Sequence, residues 1–158
     1  MAIPKKVINF LEKNKARYET VKHKTVYTAT DKAATLRVPE KIIGKTLVMK
    51  ADKFIAVILI PANKNLDKNK FKKIAKVKKV DFVKENWMKK NIKGIKIGAT
   101  PPFGKIWRLA TFADSTLLKN PKIIINSGDY NWSIKITPAN FKKLVPDLII
   151  GSFPKAKK

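Results

Sequence analysis

The chain has no cysteine and a single histidine, His23, among its 158 residues. Disulfides, thiolate metal sites and a cysteine nucleophile are excluded by the first absence, and a histidine-rich metal centre by the second. A serine triad would have to use His23 as its base, and no G-x-S-x-G turn exists to present the nucleophile. Acidic residues are few, 11 in all. The two best placed, Asp114 and Asp129, fall on separate loops, so no carboxylate pair is set up for acid–base work, and Asp114 ahead of "STLL" reads as a helix cap. Arginine is limited to Arg17, Arg37 and Arg108, which disfavours recognition built on bidentate guanidinium contacts. No run approaches the roughly 20 apolar residues of a membrane span. The N-terminus "MAIPKKVINFLEKNKARY" interleaves charge with apolar residues, unlike a signal peptide. No membrane partner and a cytoplasmic location are therefore expected.

What is present is lysine. Lys and Arg together number 36, for a formal net charge of +25. A single-sign field of that size on a small body attracts a polyanion, and lysine in place of arginine points to diffuse electrostatic attraction. A compositional habit that fills solvated positions with lysine explains the excess equally well. Hydrophobic residues make up 44% of the chain, enough for a folded body with one core. The organisation expected is a single domain over residues 1–153 with a frayed basic tail at 154–158.

Pro4 followed by Val7, Phe10 and Leu11 at helical spacing predicts an amphipathic helix to about Arg17. "YETVKHKTVYTA" alternates like a strand, and "TATDKAATLRV" carries a Thr cap ahead of a short helix. "GKTLVMK" and "FIAVILI", separated by Ala51, Asp52 and Lys53, predict a hairpin whose second strand, apolar at both parities, is covered on both faces. Residues 63–93 hold twelve lysines against three acids, with Phe71, Ile74 and Ala75 on one helical face; "VKENWMKKN" predicts a further helix. After the loop "GIKIGATPPFGK" come "IWRLATFA", two strands in "KIIINSGDYNWSIKI", a helix at "TPANFKKL" with Thr137 as cap, and a last strand "DLIIG". The sum is an α+β domain of about seven strands in a mixed or largely antiparallel sheet flanked by helices.

Two features stand out chemically. "GATPPFG", Gly98 to Gly104, resembles a phosphate loop in its Gly-(x)-Gly-Lys spacing but lacks the Ser or Thr after Lys105, and its prolines have no N–H to donate. It is either an ordinary turn or a stiff pocket wall with N–H donors at Gly98, Ala99, Thr100, Phe103 and Gly104. Lys45, by strand parity, shares a face with Leu47 and Met49, so its ammonium either snorkels to the rim or enters a cavity.

Taken in order, "HKTVYTATDKAA", "GKTLVMK", "AVILIPANKNLDKNKF", "GIKIGATPPFG", "FADSTLL" and "INSGDYNWSIKI" resemble the YbaK/prolyl-tRNA-synthetase-associated editing domain family over nearly the whole chain. The resemblance implies a compact α+β domain with a curved mixed sheet and a deep pocket. It implies hydrolysis, without metal or cofactor, of the ester in mischarged aminoacyl-tRNA, of the Cys- or Ala-tRNA(Pro) type, by a freestanding enzyme that could partner prolyl-tRNA synthetase. By match to the motifs, Lys45 is the essential lysine and Gly98 supplies a carbonyl contact. Ala99, Thr100, Pro101, Pro102, Phe103 and Gly104 close over the aminoacyl group, with His23, Thr46 and Gly128 as further substrate-binding positions. A non-catalytic RNA- or tRNA-binding module that keeps the same fold is the alternative.

Overall fold

The computed structural model describes residues 3–157; residues 1, 2 and 158 lie outside it. Helix α1 (Lys5–Lys13) sends Val7 and Leu11 into the core. It stops four residues before Arg17 because the chain turns at Lys15, whose φ is 53°. Of the expected first strand only β1 (Glu19–Lys22) pairs. Helix α2 (Ala29–Leu36) begins at Thr28, whose side chain accepts the Asp31 N–H at 3.0 Å, the cap expected from "TATD".

The hairpin of β2 (Gly44–Ala51) and β3 (Phe54–Pro61) forms in full register from Gly44↔Pro61 to Ala51↔Phe54. β3 is buried from Ala56 to Pro61. The reason lies in the sheet order β5-β2-β3-β6-β9, which makes β3 the central strand. Here β5 is Val80–Phe82, β6 is Ala110–Asp114 and β9 is Ile149–Gly151. β2 pairs antiparallel with β3 and β5, whereas β3–β6 and β6–β9 are parallel, so the sheet is mixed. A second, three-stranded antiparallel sheet runs β1-β8-β7, with β7 at Ile123–Asn126 and β8 at Trp132–Ile136. A parallel bridge between Ile43 and Ile124 ties the two sheets together just before β2 begins.

The strand count exceeds the expected seven because short segments pair at the edges. β4 (Lys64–Leu66) and β10 (Pro154–Ala156) form a two-stranded ladder. The tail expected to fray from residue 154 is thus held as far as Ala156 by backbone pairing, with Phe153 fully buried just ahead of it. Helices α3 (Lys68–Ala75), α4 (Glu85–Asn91) and α5 (Pro138–Leu144) and short 3-10 turns at Glu40–Ile42, Gly104–Trp107 and Leu117–Lys119 complete the described elements. α3 buries Phe71 against Phe112 and Phe153, with edge-to-face ring pairs at 4.8 and 5.6 Å. Each fully enclosed aromatic or aliphatic side chain of this kind contributes about 1.5–3 kcal/mol relative to exposure. A separate core joins α1 and α5 to both sheets through Leu11, Leu59, Phe103, Ile125 and Phe141. Asp114 does act as a cap: its carboxylate accepts the N–H groups of Thr116 and Leu117.

Candidate active site

The ends of α2, β2 and β7 and the loops at 98–99 and 129–130 surround a cavity of about 170 Å³. Each wall has a local cause. The Thr28 cap fixes the first turn of α2, which places Lys32 one turn inside the helix facing Asn126 at the end of β7. The bridge at Ile43 brings the start of β2 alongside, so Lys45 and Thr46 border the opening. Gly98 has φ +85°, a conformation that favours glycine. A Cβ there would find only the Tyr27 carbonyl, at 4.0 Å, so the need is for the backbone shape and not for space.

Lys45 forms the boundary between this cavity and an open groove of about 490 Å³ that also touches Leu47, Asn65, Lys68, Phe82 and Lys155. Its ammonium donates to Asn65 Oδ1 at 3.4 Å. Partial burial and then the positive charge of Lys157 push its pKa below the ordinary lysine value, with Glu40 opposing. Thr46 Oγ1 is buried and has no hydrogen-bond partner among the described residues, so a hydroxyl on the cavity wall is left free for a ligand.

The segment "GATPPFG" divides in two. Gly98 and Ala99 line the cavity, while Thr100 is turned to an adjoining depression with Met88 and Ile97. Pro101 and Pro102 are buried, and Phe103 is fully enclosed, 5.2 Å from Phe10 and 6.2 Å from Phe141 between ring centroids. A Cβ on Gly104 would meet the Leu109 carbonyl and Thr111 Oγ1 at 2.6 Å. Pro101 to Gly104 are therefore an anchor in the core and do not reach the cavity. Two of the five expected donors are also committed, Ala99 N–H to the Lys96 carbonyl and Gly104 N–H to Thr111 Oγ1. The Gly98 N–H has no acceptor among the described residues.

His23 and Gly128 stand behind the site and not in it. The His23 Nδ1 lies 2.8 Å from the Lys24 carbonyl, to which it must donate, leaving Nε2 to accept from Ser133 Oγ at 2.9 Å. Burial, offset in part by that backbone bond and reinforced by Lys32, lowers its pKa, so the ring is neutral and structural. Gly128 has φ +100°, and a Cβ would press on Pro4 Cγ at 2.8 Å and Ile95 Cγ2 at 2.9 Å. Its role is to make the turn that aims Asp129 at the cavity.

Lys32, Asn126, Asp129 and the tyrosines 27 and 130 line the cavity without having stood out as site residues in the sequence. Lys32 is only 5% exposed and donates to Asn126 Oδ1 at 2.7 Å; desolvation lowers its pKa to about 8. A signal for it exists, since Ala29, Lys32, Ala33 and Leu36 fall at i, i+3, i+4 and i+7 and put the lysine on the inward face of α2. Burial works to raise the Asp129 pKa, but the Lys96 ammonium at 2.7 Å and the Asn131 N–H hold the carboxyl below its ordinary range. A wider depression of about 610 Å³ adjoins at Tyr130, lined by Met88, Lys93, Ile95 and Thr100. The smaller cavity is the better candidate because it alone combines a buried ammonium with an orphaned hydroxyl.

The fold is similar to two solved structures of low sequence identity. One, described only as a hypothetical protein, superposes with a TM-score of 0.85 at 21% identity over 96% of this chain and 100% of that one. Another, described provisionally as a trans-editing enzyme for prolyl tRNA synthetase, gives 0.81 at 20% identity over 96% of each chain. No curated protein matches the sequence. The model of the aminoacyl-tRNA editing domain matches residues 23–144, a span that carries α2, β2, β7 and the loops at 98–99 and 129–130 that wall the cavity, and the chain belongs to that family.

Proposed function

We propose that this protein hydrolyses the ester of mischarged aminoacyl-tRNA, acting in trans on the released tRNA. The observation that carries the reading is the join at Lys45 between a small cavity sized for a short acyl group and a larger lysine-bearing groove. An aminoacyl ester is already activated, so a site that positions it and stabilises the developing oxyanion needs no strong protein nucleophile. The Gly98 N–H is the donor for the carbonyl oxygen, and Lys45 anchors the phosphate of the 3′-terminal adenosine. Asp129 is placed to face the α-ammonium. Water adds to the carbonyl carbon while the neighbouring ribose 2′-hydroxyl accepts the water proton and passes its own to the departing 3′-oxygen. The ester C–O bond breaks, which yields free amino acid and uncharged tRNA. Exposed Phe82, with the Lys68 ammonium 5.6 Å from its ring centroid, offers a face on which an unpaired base can stack.

Selectivity rests on volume, since a methylene is worth only about 1–3 kcal/mol and a cavity of this size works by shutting out the larger correct residue. Cysteinyl- and alanyl-tRNA(Pro) are the substrates that the family resemblance favours, and the neighbour described as a trans-editing enzyme for prolyl tRNA synthetase supports that synthetase as a functional partner. Incubation with a panel of mischarged tRNAs tests the reading. At least one ester is expected to be lost much faster than in buffer. Spontaneous rates throughout, with tRNA still bound in a salt-dependent manner, would leave a non-catalytic tRNA-binding module.

A further inference from the structure

Lys32 is a cation without an anion. It is 5% exposed, its one hydrogen-bond partner is the neutral amide oxygen of Asn126, and it takes part in no ion pair among the described residues. The nearest candidate, Asp129, borders the same cavity but is engaged with Lys96 and the Asn131 N–H. An ammonium has three donors. With one used, two remain for whatever fills the cavity. Desolvation is the single cause of its depressed pKa, of about 8, so the group is still mainly charged near neutrality. A buried charge left uncompensated opposes folding, and no anion among the described residues pairs with this one. A ligand anion would.

The shape of the site restricts which anion. The phosphates of a tRNA 3′ end are diesters whose chain must leave in both directions, which suits the groove of about 490 Å³ at Lys45 and not a side chain that is 5% exposed on the wall of a cavity of about 170 Å³. The free end of the substrate that can enter a cavity of about 170 Å³ is the acyl side chain.

We infer that Lys32 is a specificity residue that reads a carboxylate at the end of a short acyl side chain, making aspartyl esters preferred substrates. The inference rests on the deacylase reading and extends it past alanyl and cysteinyl groups. The lone pairs of Asn126 Oδ1 hold the ammonium in place, Asp129 on the same cavity takes the α-ammonium, and the two opposite charges fix the orientation of the ligand. An asparaginyl group, equal in size but neutral, gains far less at Lys32.

Binding of uncleavable 3′-amide analogues of aspartyl-, asparaginyl- and alanyl-adenosine, with and without a 5′-phosphate, tests this by calorimetry. The native protein is expected to bind the aspartyl analogue at least tenfold more tightly than the asparaginyl one. Lys32→Met should erase that preference and retain alanyl affinity. Asn126→Asp, which supplies Lys32 with an internal carboxylate, should erase it too with the lysine still present, and so covers the case in which Lys32→Met misfolds. Equal affinity for the aspartyl and asparaginyl analogues in the native protein overturns the inference, as does binding of none. A Lys32→Met loss confined to the 5′-phosphorylated analogues, or uniform across the acyl groups, overturns it in favour of a phosphate or ester contact. Because amides are bound and not turned over, the deacylase reading stands or falls separately on the ester panel.

Discussion

Lys32 and Lys45 both border one cavity, and their surroundings differ in kind. Lys45 sits at the head of β2 with a route to the open groove, a second lysine nearby in Lys157, and Asn65 at the long distance of 3.4 Å. Lys32 is enclosed by α2 and β7, held at 2.7 Å by Asn126, with desolvation alone acting on its charge. A half-exposed ammonium with one long hydrogen bond suits a strand of phosphates that must slide in and out; a buried one held at 2.7 Å suits a small group that enters end first. Most other lysines, including most of those on the basic face of α3, are exposed, and exposed charge of this kind attracts a polyanion without discrimination.

The comparison is broken most directly at Lys45. Lys45→Ala is expected to reduce deacylation by about 100-fold, in line with loss of one preorganised electrostatic contact, with an unchanged melting temperature because the side chain is only half-buried. Single-turnover kinetics on a substrate found by the ester panel measure it. Near-native rates would move the phosphate contact elsewhere.

Lys32→Met should act in the opposite sense on stability. The folded-state pKa of about 8 lies below the ordinary lysine value of 10.5. Beneath pH 8 the ammonium is charged both folded and unfolded, and its burial cost is present in full. Between pH 8 and 10.5 the folded chain sheds the proton that the unfolded chain keeps, so stability rises with pH and the cost is gone above the upper limit. Removing the charge is expected to stabilise the protein at pH 7 by about 2 kcal/mol, after allowing for the partner lost by Asn126, and to flatten the rise at alkaline pH. His23 and Asp129 also face this region, but both titrate well below that window. Urea denaturation of the native and substituted proteins at neutral and alkaline pH decides it; equal stabilities in both conditions would show that the fold already compensates the charge.

Much of this contrast is hidden in the sequence, for physical reasons. The hairpin, the central strand and the Thr28 and Thr137 caps can be read because local propensity and tertiary packing agree there. Lys45 can be picked out by parity because a strand alternates cleanly. Lys32 escapes notice although its helical spacing with Ala29, Ala33 and Leu36 marks it, because in a chain this rich in lysine no single one stands out. The fate of "GATPPFG" cannot be read at all: which half faces a cavity and which half is core depends on Phe10, Phe141 and Thr111, outside the segment itself. The ordering of the tail is equally illegible, because its partner β4 is only three residues long and carries no strand pattern of its own.

Phe82→Ala sharpens the groove side of the comparison. Removing one stacking face is worth about 1–1.5 kcal/mol, so KM for aminoacyl-tRNA should rise roughly tenfold with kcat little changed, whereas a short aminoacyl-adenosine ester lacking the penultimate nucleotides should show a smaller effect. An equal rise for both substrates would place Phe82 against the terminal adenosine itself.

Gly98→Ala has a small expected effect on stability and probes the cavity side. The position has room for a methyl group, with nothing nearer than the Tyr27 carbonyl at 4.0 Å, so the loss comes from holding alanine at φ +85° and is about 1 kcal/mol. The effect on catalysis depends on how the loop relieves that strain. If the backbone holds, the N–H keeps its aim and deacylation falls only in proportion to the small loss of folded protein. If the introduced alanine relaxes to a negative φ, the N–H turns from the cavity, and the rate should fall far more than stability while substrate affinity at Lys45 and Phe82 persists. The second outcome, a drop in kcat with KM preserved, is the one that an oxyanion role for the Gly98 N–H requires.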